Sequence, residues 1–275
     1  MPLLTPGSIA DLLDRHGLRP SRALGQHFLA DPNTARRIVR LADVEPGDRV
    51  LEIGPGVGSL TAALVESGAQ VTALELDRHV LPALAEVVGD GVRVVLGDAL
   101  TADLEQVVPV ADGPWAAVSN LPYNVATPIV MRLLELAPQV RTMFVMVQRE
   151  VGERFAASPG GKDYGAVSVK LAFFARARVV GMVPPTVFLP PPQVDSALVR
   201  IERHVVAPVA VPSADALFAL VKAGFGQRRK MLRGALRSVL GPRTVDVLAA
   251  AGVDPGARAE SLDLEAWAAI AREAT

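Results

Sequence analysis

Residues 51–61 read LEIGPGVGSLT, an apolar strand-like run that gives way to three alternating glycines and then to a helix-like segment. Glycines at 54, 56 and 58 let backbone approach a ligand closely and adopt dihedrals closed to other residues. A turn of this kind serves packing alone in many αβ connections, so its surroundings decide the reading. From residue 48 onward the pattern repeats. The runs RVLEIG (49–54), QVTALEL (70–76), VRVVLGD (92–98), WAAVSNLP (115–122) and RTMFVMVQ (141–148) alternate with helical segments such as GSLTAALVESG (58–68) and RHVLPALAEVVGD (78–90). Near-continuous hydrophobicity in each run means strands covered on both faces, hence an α/β fold with a mostly parallel, doubly wound sheet. In such sheets ligands sit at the carboxyl ends of the strands.

The polar residues of this half fall at those ends. Glu75 closes QVTALEL, ~20 residues past the glycines, where a carboxylate accepts from the two hydroxyls of a ribose. Asp98 closes the next run and is placed to accept from an adenine amine. The dinucleotide fingerprint G-x-G-x-x-G is not met, because Ser59 holds its last position, and no G-K-[ST] marks a P-loop. A nucleoside cofactor without a pyrophosphate fits this set, and S-adenosylmethionine is the expected one.

Composition narrows the rest. The 275-residue chain has no cysteine, which excludes disulfides, thiolate nucleophiles and cysteine-ligated metal. Its four histidines, His16, His27, His79 and His204, show no metal-ligand spacing, so no metal is expected. Half the residues are apolar, yet no run approaches the ~18 residues of a membrane span. The N-terminus carries Asp11 and Asp14 where a signal peptide would be apolar, and the expectation is a cytoplasmic monomer with no membrane association. The net charge of -1 confines any nucleic-acid surface to a local patch. VVAPVAVPSAD (205–215) reads as a linker, giving an expected cofactor-binding α/β domain over 1–204 and a helical domain over 205–275.

The fourth run ends in SNLPYN (119–124), on the same rim as Glu75 and Asp98. An exocyclic amine such as adenine N6 is a poor nucleophile because its lone pair is delocalised into the ring. Acceptors for both amine hydrogens favour a pyramidal nitrogen. The Asn120 side-chain oxygen and the Leu121 carbonyl would supply them, with Pro122 fixing the turn and Tyr123 stacking on the ring. These four are the expected catalytic residues. The competing reading makes Asn120 a helix cap and Tyr123 a core aromatic, but Thr127 before Pro128 is the better N-cap expectation for the helix ATPIVMRLLELA (126–137).

Eight motifs occur in order: LGQHFL (24–29), LEIGPGVGSLT, LEL ending at 76, GDAL (97–100), NLPYN (120–124), PGGKDYGAVSV (159–169), VFLPPPQVDSALV (187–199) and FGQRRKMLRGAL (225–236). From about residue 20 to at least 240 the chain resembles the bacterial ribosomal RNA small-subunit adenine dimethyltransferases. The resemblance implies a Rossmann-like class I methyltransferase fold with a smaller α-helical C-terminal domain. It also implies N6,N6-dimethylation of two adjacent adenosines in the 3'-terminal helix loop of 16S rRNA, late in ribosome biogenesis. By the same resemblance His27 and Leu29 close over S-adenosylmethionine, Gly54 with Gly56 lies at its methionine side, Glu75 and Asp98 bind its ribose and adenine, and Asn120 borders both cofactor and target amine. Tyr123 and Phe188 would sandwich the flipped-out adenine. The chain departs from the family pattern at His27 and Gly234, where asparagine is common.

In QRRKMLRGALRSVL (227–240) a continuous helix would set Arg229, Arg233 and Arg237 on one stripe beside Arg228 and Lys230, with Leu232, Leu236 and Val239 on the adjoining face. Acids are absent from 226 to 245, which favours phosphate contact over a merely solvated face. RHGLRPSR (15–22) would extend that surface. Three rival functions share parts of this pattern: the large-subunit adenine methyltransferases of macrolide resistance, a non-catalytic ribosome assembly factor, and a nicotinamide oxidoreductase. PGGKDYG and FGQRRKMLRGAL speak against the first, intact Glu75, Asp98 and Asn120 against the second, and Ser59 against the third.

Overall fold

The computed structural model describes residues 3–21 and 24–275; Arg22, expected to add to a basic surface, lies outside them. The chain divides into two compact units, Met1–Gly152 with Arg178–Arg203, and Glu153–Ala177 with His204–Thr275.

The first unit begins with α1 (Pro6–Arg15), β1 (Phe28–Leu29) and α2 (Pro32–Leu41). Both helices start in the same way. Thr5 accepts from the Ser8 N–H and Asp31 from those of Asn33 and Thr34, each followed by proline at the first helical position. These side chains satisfy N–H groups that a helix start leaves without intrahelical partners. Alternation then sets in: β2 (Arg49–Ile53), α3 (Ser59–Glu66), β3 (Gln70–Glu75), α4 (Leu81–Val88), β4 (Arg93–Leu96), α5 (Leu104–Val107), β5 (Trp115–Asn120), α6 (Ala126–Leu136) and β6 (Val140–Gln148). After α7 (Arg149–Phe155) and α8 (Ala166–Phe174), the chain returns through β7 (Ala175–Val183), β8 (Phe188–Leu189) and β9 (Ser196–Arg203).

The main sheet has the order β4-β3-β2-β5-β6-β9-β7. Pairing is parallel from β4 through β6, and β9 joins β6 antiparallel, with Phe144 opposite Arg200 and Gln148 opposite Ser196. The crossovers run to opposite sides of β2, so a switch point opens between β2 and β5. Val50, Leu64, Ala73, Leu84, Val118, Phe144 and Leu198 form the core that holds this sheet against its helices. The glycine turn needs its glycines. Gly56 and Gly58 have φ of 56° and 90°, and a Cβ on either would come within 2.9 Å of the Phe28 ring or of Leu84 Cδ1.

The second unit gathers α8 with α9 (Ala214–Gly226), α10 (Leu232–Ala235), α11 (Arg237–Leu240), α12 (Thr244–Ala250) and α13 (Leu264–Glu273). Ser213 and Asp263 cap α9 and α13 through the N–H groups of Ala216 and Ala266. Trp267 is fully buried, together with Leu217, Leu232 and Leu248. The expected boundary at 204/205 therefore needs correction: residues 153–177 also belong to the helical unit. Tyr164 and Val169 enter its core, and the Tyr164 hydroxyl donates to Leu262 O at 2.9 Å.

Two further local expectations fail. Thr127 lies inside α6, whose N-cap is Val125 without a side-chain hydrogen bond. Residues 227–240 are not one helix: α9 ends at Gly226, and the N–H groups of Leu232 and Arg233 donate to Ala257 O and Pro255 O. Those bonds replace the i→i−4 bonds a continuous helix would require. Arg228, Arg229, Lys230, Arg233 and Arg237 are all exposed, but on turns and two short helices rather than on one stripe. Leu232 and Leu236 are buried as expected, whereas Val239 is 46% exposed. Among the described residues no helix is long and apolar enough to cross a membrane, and no cluster of His, Asp or Glu is placed to hold a metal ion.

Candidate active site

In the first unit a cavity opens at the carboxyl ends of β2 to β5. Its walls are the segment Leu24–Leu29, the glycine turn, Leu74–Leu76, Gly97–Ala99 and Asn120–Val125. His27, Leu29, Gly54, Gly56, Glu75, Asp98, Asn120, Leu121, Pro122 and Tyr123 all line it. Phe188, expected to stack on the target base, does not. It is only 4% exposed and packs in the core, paired through β8 with Leu29 of β1.

Glu75 is buried, and both of its oxygens are engaged: Oε2 accepts from Gly56 N at 3.0 Å and Oε1 from Asp77 N at 2.8 Å. The glycine turn and the end of β3 are thus tied through one carboxylate, each oxygen of which keeps a second lone pair for a ligand. Burial raises the Glu75 pKa, and the backbone N–H groups oppose that rise. Asp98 Oδ1 accepts from Leu100 N at 2.8 Å. The loop it opens is held by Arg132 of α6, whose Nε and Nη2 donate to Leu100 O and Ala102 O.

Asn120 closes β5. Its Nδ2 donates to His27 O at 3.1 Å, while Oδ1 is buried and has no hydrogen-bond partner. A buried amide oxygen left unpaired is costly, and the fixed nitrogen end prevents the group from turning to relieve it. Next along, Leu121 N donates to Met146 O at 3.1 Å, fixing the backbone of the turn. The Tyr123 hydroxyl meets Ser196 Oγ at 2.6 Å, and burial raises its pKa, so the ring enters as a neutral phenol. One face of that ring stacks on His27, with centroids 5.5 Å apart and planes inclined by 26°. His27 is itself pinned by Nδ1, which donates to Pro190 O at 2.8 Å.

Three contributors escape a reading of sequence alone. Ser196 holds Tyr123 from β9. Gln26 ties the N-terminal wall down, its Nε2 donating to Asp77 Oδ2 at 3.0 Å and its Oε1 accepting from Ser21 N. Glu52 in β2 lines the cavity although it is 1% exposed. For Glu52 a signal was available, namely an acid inside an otherwise apolar strand.

The cavity is therefore lined by three carboxyl groups, Glu52, Glu75 and Asp98, and by no lysine or arginine among the described residues. Such a lining favours a cationic ligand and offers a phosphate no cationic side chain. The basic residues of the second unit are arranged differently. Arg228 donates to Tyr164 O and pairs with Glu260, so part of its role is to hold its own turn. In the N-terminal segment Arg15 and His16 share Glu86, and Arg19 meets Asp14, which offsets the charge expected there.

A switch-point cavity beneath a glycine turn, with acids at the ends of successive parallel strands, defines a Rossmann-like class I methyltransferase. The comparisons specify it further. The family model described as Ribosomal RNA adenine dimethylase matches residues 18–275. Ribosomal RNA small subunit methyltransferase A of Cutibacterium acnes is 47% identical, the alignment covering 95% of this chain and 91% of that protein. The protein of the same name from Thermobifida fusca is 46% identical over 98% and 95% of the two chains. Among solved structures, a dimethyladenosine transferase from Plasmodium falciparum superposes with a TM-score of 0.75 at 24% identity, covering 89% of this chain and 96% of that one. The 23S rRNA methyltransferase ErmE gives 0.68 at 29%, with 90% and 98% covered. The chain belongs to the ribosomal RNA adenine dimethylase family.

Proposed function

We propose that the chain uses S-adenosylmethionine to dimethylate N6 of two adjacent adenosines in the 3'-terminal helix loop of small-subunit (16S) rRNA, acting late in ribosome biogenesis. The observation that carries the chemistry is Asn120 Oδ1, a buried acceptor without a donor, set at a strand end where an amine hydrogen would satisfy it. When bound, the cofactor supplies an electrophilic methyl group on a sulfonium. The residues that would hold it are His27, Leu29, Gly54, Gly56, Glu75, Asp98 and Asn120. Glu75 would offer its remaining lone pairs to ribose hydroxyls, and Asp98 would accept from the adenine amine.

The rest of the work is positioning. Asn120 Oδ1 and the Leu121 carbonyl would each accept one hydrogen of the target amine, favouring a pyramidal nitrogen with its lone pair free. Pro122 holds that carbonyl's turn. Tyr123 would stack on the flipped base, its ring oriented by Ser196. His27 already stacks on one face of that ring. No general base is needed to begin, because the amine loses its proton only after its nitrogen has gained the methyl group. A polar, pre-organised rim therefore suffices.

Small-subunit rRNA is favoured over large-subunit rRNA by relatives. Proteins named for the small subunit reach 47% identity, against 29% for ErmE. Arg229, Lys230, Arg233 and Arg237, with Arg228 in support, would contact phosphates of the rRNA, which is read largely by shape and backbone. A cytoplasmic monomer acting on the particle is consistent with this role. The test is transfer of labelled methyl from S-adenosylmethionine to small subunits lacking the modification, beside large subunits and free rRNA, with nucleoside analysis. N6,N6-dimethyladenosine confined to small-subunit RNA is expected. Label in large-subunit RNA would overturn the target, and binding without label would overturn the chemistry.

A further inference from the structure

Glu52 is a buried acid for which the methyl-transfer mechanism has no use. It lies in β2 with 1% of its surface exposed, lines the cavity, and its Oε2 has no hydrogen-bond partner. Its neighbours offer no cation. β3 brings Glu75, and β5 carries no titratable residue. On α3, Glu66 is occupied with Arg36 of α2. The other titratable groups of the cavity wall are His27, Asp98 and Tyr123. Burial, opposed by the Thr61 hydroxyl and reinforced by the charge of Glu75, pushes the Glu52 carboxyl up to about 8.

We propose that Glu52 is the proton-linked counter-charge of this cavity: it holds a proton before the cofactor binds and releases it to solvent as the cation enters. The inference rests on the cofactor reading above. S-adenosylmethionine carries a sulfonium and an ammonium against one carboxylate, a net charge of +1. Bringing that charge into a cavity with three carboxyls and no basic side chain stabilises the ionised form of Glu52. Loss of the Glu52 O–H proton to buffer balances the charge. Because binding expels a proton, affinity rises with pH until Glu52 is already ionised in the free protein.

The test is calorimetric titration with S-adenosylmethionine at pH 6.5 in buffers of differing ionisation enthalpy, on the full chain. At that pH the cofactor's own α-amino group, which titrates near ~8, is still protonated. The wild type should release about one proton per site, and Glu52→Gln should bind with release near zero. No release from the wild type, or equal release from Glu52→Gln, would overturn the proposal. Should Glu52→Gln fail to fold, wild-type affinity alone decides: it should rise about tenfold per pH unit from 6 to 7.5, and a flat profile would overturn the linkage. Asp98→Asn tests the underlying reading separately. It should weaken binding several-fold with the proton count unchanged, whereas undiminished affinity would displace the cofactor from this cavity whatever Glu52 does.

Discussion

The cavity of the first unit and the 226–245 stretch of the second are electrostatic opposites. The cavity wall holds three carboxyl groups and no lysine or arginine among its described residues. The stretch holds five exposed basic residues from Arg228 to Arg237 and no acid. They also differ in how firmly each side chain is held. Glu75, Asn120 and Tyr123 are each fixed by a hydrogen bond of 2.6 to 3.1 Å, as suits a site that must place atoms for reaction. The basic residues stand on turns and on two four-residue helices, which suits neutralising a flexible polyanion at many nearly equivalent points. On the proposed reading a small cation and a large polyanion would be sorted to different units, so that one binding event could be damaged without the other.

Mutations can break that separation or sharpen it. The largest effect belongs to Asn120→Ala, which should lower turnover by about 100-fold or more while S-adenosylmethionine affinity stays within about tenfold and particle binding is unchanged. Single-turnover methylation set beside calorimetry and filter binding reads all three, and near-normal turnover would remove Asn120 from the chemistry. Tyr123→Ala comes next. Loss of a stacking platform is worth ~1–3 kcal/mol, so methylation should drop by roughly 5- to 150-fold with cofactor affinity retained. On the other side of the comparison, Arg229→Ala with Arg233→Ala should weaken particle binding and flatten its dependence on log salt by about 1.4 to 1.8, leaving cofactor affinity untouched. An unchanged salt slope would return these arginines to a solvated surface. The smallest effects are those of Tyr123→Phe and Ser196→Ala, each removing the same hydrogen bond at ~0.5–1.5 kcal/mol. Both should cost only a few-fold, and the double variant should cost no more than either alone. Full additivity would mean that Ser196 does not act through Tyr123.

How much of this could be read from residues alone follows physical lines. β2, β3, β5 and β6 announce themselves because strands buried on both faces need unbroken apolar runs, and the glycines mark the one turn that must approach a ligand. β7 is not legible: ARARVVGMV begins with exposed Arg176 and Arg178, as befits a strand at the sheet's edge. β1 and β8 are two residues each and have no period to detect. Glu75, Asp98 and Asn120 were legible through their position at strand ends, whereas His27 and Leu29 were reached only through the family resemblance. The burial of Phe188 was not legible, because a motif fixes a residue's position along the chain and says nothing of its burial. The arginine stripe was misread for a related reason: helical periodicity cannot foresee that Pro255 O and Ala257 O will claim the N–H groups of Arg233 and Leu232. Ser196 and Gln26 act across 73 and 51 residues of sequence, beyond the reach of local pattern.

The position of β9 bears on how the protein is made. Ser196 supplies the hydroxyl that orients Tyr123, and its strand completes the sheet along β6. A nascent chain that has emerged only as far as α8 already carries the glycine turn, the acids and Asn120. It still presents β6 as an open edge, prone to pairing with whatever strand it meets. The β8 contacts that hold Leu29 and His27 thus form only once residues 188–190 have emerged, and the Ser196 support of Tyr123 forms after them. A translating ribosome that stalls between residues 174 and 196 would hold a chain with the elements of a cofactor cavity and no correctly held Tyr123. Such a chain would be a target for chaperones and proteases before it could act on the particle of which its own synthesising ribosome is an example.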